Sequence, residues 1–277
     1  MKRAAEQLSR AGVPDPDLDS ELLLRHVLGW DRATLVASFS APLSSEADVR
    51  FIAFVDQRAR RRPLQHLVGH QEFWRRTFRV TPDVLIPRPE TEGVVDAALA
   101  SLHHVQAPLV VDVGTGSGCI ALSIAADLPG ARVHGSEISP AALEIALENA
   151  RRLGVEERVT FHLGDLLEPL RSLAGSVDLV VSNPPYVDPE AAGSLAPEVQ
   201  DHEPAQALFP PGDAYAVYRR LIPQAADILG PRGALVLEIG LGMEPQVAAL
   251  ARQAGLHVEP AIPDLQGIPR VLVAHRK

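Results

Sequence analysis

The chain has 277 residues, 46% of them apolar and 22% charged, with a formal net charge of −9. That composition suits a globular protein of one large domain, or of a large and a small one. No apolar run reaches the ~18 residues needed to span a bilayer, the start Met1-Lys2-Arg3-Ala4-Ala5-Glu6-Gln7 lacks the core of a signal peptide, and a lone Cys119 excludes an intramolecular disulfide or a cysteine-cluster zinc site; a cytoplasmic location is expected.

Residues 1–72 read as helical. Pro14-Asp15-Pro16-Asp17 interrupts the chain, Asp17 or Asp19 can cap the helix that follows, and Leu18, Leu22 and Val27 roughly share a face before Gly29 stops it. A second helix is expected from Ser44 or Ser45 to Arg60, with Val49, Ile52, Phe54 and Val55 apolar. Arg58-Ala59-Arg60-Arg61-Arg62-Pro63 closes it with cations where the helix dipole favours them. This cluster reads as a solvated helix end, or alternatively as a contact for an acidic or RNA-associated partner.

Phe73-Trp74, Phe78-Arg79-Val80 and Val84-Leu85-Ile86 are short strand-like pieces, read as a hairpin between a domain at 1–84 and another at 85–277. Pro87 to Glu92 forms a turn leading into a helix over Glu92 to Leu102. From residue 109 strands and helices alternate, the pattern of a parallel sheet covered by helices. Strands are expected at 109–113, 132–136, 159–163, 177–181 and 234–239, with the last two at 257–258 and 271–274. The fold class is therefore α/β, a seven-stranded Rossmann-like sheet, mostly parallel with the last strand antiparallel, carrying a small helical N-terminal domain. Ser139 is a natural N-cap, Pro140 fits the first turn and Gly154 the far end of one sheet-covering helix.

Gly114-Thr115-Gly116-Ser117-Gly118 follows the first strand and opens a helix, so the backbone can turn sharply and approach a ligand at the carboxyl edge of the sheet. Glu137 ends the second strand, where a carboxylate can accept ribose hydroxyls, and Asp165-Leu166 follows the third, where an acid and an apolar side chain can flank an adenine. A dinucleotide fold calls for Gly-x-Gly-x-x-Gly/Ala against a pyrophosphate. Cys119 occupies that sixth position, which opposes a nicotinamide dehydrogenase and favours the phosphate-free S-adenosylmethionine, with S-adenosylhomocysteine as product.

Asn183-Pro184-Pro185-Tyr186 ends the fourth strand beside the first. Two prolines remove two amide donors from ordinary ladders. The Asn183 side-chain oxygen and the Pro184 carbonyl are then left to accept hydrogen bonds from an NH2 group, with Tyr186 against its flat face. An amide or aryl amine is weakly nucleophilic because its lone pair is delocalised. Two acceptors orient such a nitrogen and stabilise the positive charge that develops on it during in-line methyl transfer. The bland reading of both motifs is a tight turn and a rigid Pro-Pro corner that only pack the sheet.

The glycine loop, Glu137 and the Asn-Pro-Pro-Tyr tetrad resemble class I methyltransferases acting on amino nitrogen. Leu85-Ile86-Pro87-Arg88-Pro89-Glu90-Thr91-Glu92, Gly69 to Phe73, His202-Glu203-Pro204 and the tail Asp264 to Val271 resemble the peptide chain release factor glutamine methyltransferases over nearly the whole chain. The resemblance implies methylation of the side-chain amide of the glutamine in a Gly-Gly-Gln loop. It implies cofactor contacts from Gly114 to Gly118, Glu137, Leu166 and Asn183, a glutamine pocket of Pro184 to Tyr186, and a helical domain that docks the release factor. In two departures, Leu166 stands where relatives often carry an aromatic, and Arg75-Arg76 follow Phe73-Trp74 where a Gly is expected.

The tetrad alone is shared with adenine methyltransferases of DNA and RNA, which need a basic surface. Residues 1–84 hold 13 Lys+Arg against 11 Asp+Glu and residues 85–277 hold 13 against 24, a poor platform for a phosphate backbone. No direct nucleic-acid contact is expected. A non-catalytic cofactor-binding scaffold is the alternative of another class, and the intact Asn183 argues against it. His66 and His70 share a four-residue spacing, but Gly69 lies between them and Leu67 replaces the Glu of a zinc-protease motif, so no metal is expected. Nothing in the sequence calls for an oligomer, and a monomer is expected.

Overall fold

A computed structural model describes residues 1–38 and 41–277, so positions 39 and 40 of the expected helical stretch lie outside the described residues. The chain begins with α1 (Lys2–Arg10), α2 (Pro16–Leu28), α3 (Arg32–Ala37), α4 (Ser45–Ala59) and α5 (Leu64–Val68), followed by β1 (His70–Phe73) and β2 (Arg76–Arg79). Then come α6 (Glu92–Leu102), β3 (Leu109–Val113), α7 (Cys119–Asp127), β4 (Arg132–Glu137), α8 (Pro140–Leu153), β5 (Val159–Leu163) and β6 (Val177–Ser182). The rest is α9 (Pro197–His202), α10 (Ala205–Leu208), α11 (Ala216–Ile228), β7 (Leu229–Glu238), α12 (Glu244–Gln253), β8 (Leu256–Val258), β9 (Ile262–Pro263) and β10 (Pro269–Arg276). The described residues divide into two compact units, 1–70 with 195–202, and 71–194 with 203–277.

The first unit packs Leu8, Leu23, Leu24, Phe51, Val55 and Leu67 into one core. Pro16 opens α2 behind Asp15, whose side chain makes no capping bond, so neither Asp17 nor Asp19 is the cap. The inward face of α2 is Leu23, Leu24 and Val27, while Leu18 is 53% exposed; the helix is rotated from the expected face because Asp19 and Ser20 turn inward too. Gly29 ends it in the left-handed conformation. Ser44 caps α4 by accepting from the Ala47 amide at 3.2 Å, and Phe51 and Val55 face inward while Val49 and Ile52 are exposed.

The basic end of α4 is not a solvated tail. Arg58 is only 5% exposed and donates from Nε to Asp19 at 2.6 Å, with a second nitrogen 2.9 Å from Glu198 of α9. Arg61 grips the same Glu198 with two hydrogen bonds of 2.7 and 2.6 Å. A planar guanidinium matches a carboxylate in this fork geometry. The acidic partner of the cluster thus lies within the chain.

In the second unit, β1 and β2 form a hairpin whose two turn residues, Trp74 and Arg75, have φ of +48° and +60°. Such a turn ordinarily takes Asn or Gly. Here the Trp74 amide donates to Glu92 at 2.7 Å and its indole to Asp127 at 2.6 Å, which also pairs with Arg76 and fixes the geometry without glycine. The third expected strand piece, Val84 to Ile86, is a bend and loop rather than a strand; Val84 and Ile86 are buried there, with their amides donating to the Thr81 carbonyl and to Glu203.

The large sheet runs β5-β4-β3-β6-β7-β10-β8, with the two-residue β9 paired to β10. Neighbours from β5 to β7 are parallel, and β10 is antiparallel to both β7 and β8. Strands covered on both faces must be apolar throughout. Accordingly Val110 and Leu179 bury against Val94 and Ile120 on one side, and Val111, Val180 and Leu235 against Tyr218 and Leu221 on the other. The fifth expected strand proves longer, beginning at Leu229. The chain leaves β3 for β4 on one side and later returns to β6 on the other, so a crevice opens at the carboxyl ends of β3 and β6.

Candidate active site

Asp112, the one charged residue of β3, organises the glycine loop from below. Its Oδ2 accepts from the Thr115 hydroxyl at 2.6 Å and the Ala121 amide at 3.1 Å. Burial pushes its carboxyl up to about 7, against the lowering pull of those two donors. Gly114, Gly116 and Gly118 all take positive φ, +70°, +55° and +80°, and a Cβ on Gly118 would meet Leu122 Cδ1 at 2.8 Å. Only glycine fits such a path without strain. Asn149 of α8 donates to the Ser117 carbonyl at 2.9 Å and ties down the far side of the loop.

Glu137 sits at the end of β4 with its carboxylate held by three backbone amides. Gly116 donates to Oε2 at 3.0 Å, and Ile138 and Ser139 donate to Oε1 at 2.8 and 3.0 Å. These bonds fix the acid across from the glycine loop and take both acceptor sites of Oε1, so that Oε2 is the oxygen with capacity for one more donor.

A cavity of about 550 Å³ opens here, walled by Gly114, Gly116, Glu137, Asp165, Leu166, Asn183 and Pro185 among others. Thr115 and Ser117 are buried beneath the loop and Gly118 is the N-cap of α7; none of the three lines the cavity. Pro184 is buried and Tyr186 half-buried, both beside the cavity rather than on its wall. The opposite wall includes Val84, Leu85, Pro204 and Phe209, which the sequence reading did not assign to the site. Among the described residues the one cation on the wall is Arg220, which is ion-paired to Asp165. Carboxylates beside apolar Ile138 and Leu166, with no free cation, suit a nucleoside that bears positive charge and lacks phosphate. S-adenosylmethionine fits that description.

Beyond the end of β6 four side chains form a connected chain. Asn183 donates from Nδ2 to the Thr91 hydroxyl oxygen at 3.2 Å. Thr91 donates to Glu238 Oε2 at 2.6 Å, and the Tyr186 hydroxyl donates to Glu238 Oε1 at 3.0 Å. Glu238, at the end of β7, is 2% exposed. Burial raises its pKa, partly countered by the hydrogen bonds from Thr91 and Tyr186. Burial also raises the Tyr186 phenol, with the Glu238 charge adding to it. A second acid, Glu203, accepts from the Ile86 amide at 3.1 Å and pairs with Arg88, joining the Ile-Pro-Arg-Pro and His-Glu-Pro segments beside the cavity. Sequence reasoning passed over Glu238, although a single acid in the apolar run Ala234 to Ile239 was a usable signal.

Residues 1–69 match the PrmC N-terminal domain family, and residues 106–237 match a methyltransferase domain family. A release factor glutamine methyltransferase of Moorella thermoacetica is 45% identical, covering 100% of this chain and 97% of its own. Another, of Cereibacter sphaeroides, is 42% identical over 99% of this chain and 96% of its own. A solved ribosomal protein L11 methylase of Lactobacillus delbrueckii shares the fold, with a TM-score of 0.51, 22% identity, and coverage of 72% of this chain and 85% of that one. Identity of this extent from end to end means that the chain belongs to the release factor glutamine methyltransferases.

Proposed function

We propose that the protein transfers a methyl group from S-adenosylmethionine to the side-chain amide nitrogen of the glutamine in the Gly-Gly-Gln motif of peptide chain release factors. S-adenosylmethionine supplies an electrophilic methyl carbon on a sulfonium sulfur, and S-adenosylhomocysteine is the product. Gly114, Gly116 and Leu166 give the nucleoside its room, Glu137 faces the ribose hydroxyls and accepts from them through Oε2, and Asp165 flanks the base, with Thr115, Ser117 and Gly118 shaping the loop from behind. Asn183 and the Pro184 carbonyl grip the acceptor NH2, while Pro185 and Tyr186 bound the glutamine pocket. Positioning and charge stabilisation carry the rate, since the amide nitrogen becomes acidic only as the new bond forms.

One observation carries this reading: Asn183 stands on the wall of the same cavity as Glu137 and the glycine loop, so an acceptor held there lies beside the donor. Residues 1–84 act as the docking domain with its hairpin linker, and 85–277 as the transferring domain. The protein works as a cytoplasmic monomer without direct nucleic-acid contact; no helix among the described residues is long and apolar enough to cross a membrane.

The test combines the purified protein, labelled S-adenosylmethionine and a release factor, beside the same factor with the Gly-Gly-Gln glutamine changed to Glu. Label on the first alone supports both acceptor and site. Label on DNA or RNA with none on the release factor overturns the reading in favour of an adenine methyltransferase. Cofactor binding with no transfer to any of the three points to a scaffold.

A further inference from the structure

Asn183 can serve an NH2 acceptor only if its amide oxygen, not its amide nitrogen, faces the cavity. Nothing in the Asn side chain itself dictates this, because the two ends are nearly isosteric and a rotation about one bond exchanges them. We infer that Thr91 and Glu238 are positioning residues that fix the Asn183 amide with its oxygen toward the acceptor, acting as a one-way relay of hydrogen-bond polarity. The inference rests on the acceptor reading above.

The direction follows from counting protons. Each oxygen of Glu238 receives a hydroxyl, Thr91 on Oε2 at 2.6 Å and Tyr186 on Oε1 at 3.0 Å. As a carboxylate Glu238 has no proton to give, so both hydroxyls donate to it. Thr91 has one hydroxyl proton, and it is committed to Glu238. Toward Asn183 the Thr91 oxygen can therefore only accept, and the atom 3.2 Å away must be the Nδ2 donor. The amide oxygen is left pointing the other way, with no hydrogen-bond donor on it among the described residues. Tyr218 does not compete for the carboxylate, because its hydroxyl donates to the Glu238 backbone carbonyl at 2.7 Å. The same carboxylate holds the Tyr186 hydroxyl inward, so one buried acid sets two members of the tetrad.

Thr91 and Glu238 come from the turn before α6 and from the end of β7, each far from Asn183 in sequence. Their side chains are buried at 2% exposure apiece, and neither is among the residues that wall the cavity. They reach the reaction only through Asn183 and Tyr186. Valine at position 91 keeps the shape and loses both the donor and the acceptor, and serine keeps both. Gln at 238 supplies an NH2 to one of the two hydroxyls and so breaks the polarity at one end.

Two measurements on the full-length protein test the relay. In the side-chain amide spectrum, with Asn183 identified by the loss of its signals in Asn183→Ala, one Nδ2 proton is protected from solvent exchange in wild type, unprotected in Thr91→Val and protected again in Thr91→Ser. In the release-factor assay, Thr91→Val and Glu238→Gln lower kcat by about 10-fold or more, with little change in KM for the release factor or in affinity for S-adenosylhomocysteine, and Thr91→Ser recovers the rate. Equal exchange of the Asn183 protons in wild type and Thr91→Val overturns the inference. So does an unchanged kcat in Thr91→Val when wild type labels the release factor. If wild type labels no release factor, the proposed acceptor falls by itself, because the spectrum decides the amide orientation without it.

Discussion

Carboxylates close the structure at two places, and they are satisfied in opposite ways. In the helical unit Glu198 meets cations: burial pushes it up, but the hydrogen bonds from Arg61 and Arg58 outweigh that and bring it down to about 2. In the methyltransferase unit Asp112 meets a hydroxyl and a backbone amide, and Glu238 meets two hydroxyls. Burial wins there, raising Asp112 to about 7 and Glu238 above its usual range. Asp19, the second partner of Arg58, is also raised, since its burial exceeds what the one shared cation returns. A charge closed by a cation works as a clamp, insensitive to small shifts of geometry. A charge closed by neutral donors gives each donor a direction, which is what a site that must orient an amide requires.

The largest effect lies at the end of that oriented chain. Asn183→Ala removes the acceptor itself and is expected to reduce methyl transfer by about 100-fold or more, while calorimetry still registers cofactor binding of the same order. Retained transfer would remove Asn183 from the chemistry and leave Glu238 as a packing acid.

Next comes the clamp. Arg58→Met leaves Asp19 without its cation and Glu198 with Arg61 alone, so urea unfolding should show a loss of about 3 kcal/mol, as for breaking a buried pair. Methyl transfer by the folded fraction should stay near wild type in initial rate on saturating substrate. A loss below about 0.5 kcal/mol, the range of exposed pairs, would make the cluster a surface feature after all.

The two kinds of acid also differ in the sign of their pH dependence. Asp112 has a folded value of about 7 above its ordinary 3.8, so its contribution to stability is fully present below 3.8 and is lost as pH rises through 7. Asp112→Asn should flatten that decline, which for one proton has a slope of at most about 1.4 kcal/mol per pH unit. Denaturation midpoints of both proteins from pH 4 to 8 measure it; parallel curves refute the assignment. Glu198 has a folded value of about 2 below its ordinary 4.5, so its contribution is present above 4.5 and is lost as pH falls through 2. Glu198→Gln should therefore be less stable than wild type at neutral pH, with the gap closing as pH falls from 4.5 toward 2. A gap that widens on acidification would break the comparison. This is the smallest of the effects, because Arg61 and Arg58 retain a neutral acceptor in Gln.

Local chemistry made much of the molecule readable in advance. The helix from Ser139 to Gly154 carries its cap, its first-turn proline and its left-handed glycine within the segment itself, and the structure has each of them. The strands at 109–113 and 177–182 are largely apolar runs bounded by turn residues, a pattern that a doubly covered parallel sheet imposes position by position. The glycine loop, Glu137 and Asn183 meet at one cavity for a related reason: each stands at or just past the carboxyl end of a strand, and the carboxyl ends of neighbouring strands must meet. Where the sequence reading failed, the deciding partner was remote. Leu18 was placed inward because spacing alone cannot say which of two overlapping helix faces a distant Arg58 will claim through Asp19.

The sequence by itself determined the alternation of elements, the family and the identity of the methyl donor, because periodicity, caps and short motifs act over a few residues. Tertiary structure alone decided how those motifs are held. Arg61 reaches Glu198 across 137 positions, Thr91 reaches Glu238 across 147 and Asn183 reaches Thr91 across 92. A buried acid must find its donors wherever the fold brings them, and no pattern in the neighbouring residues encodes which hydroxyl or guanidinium that will be.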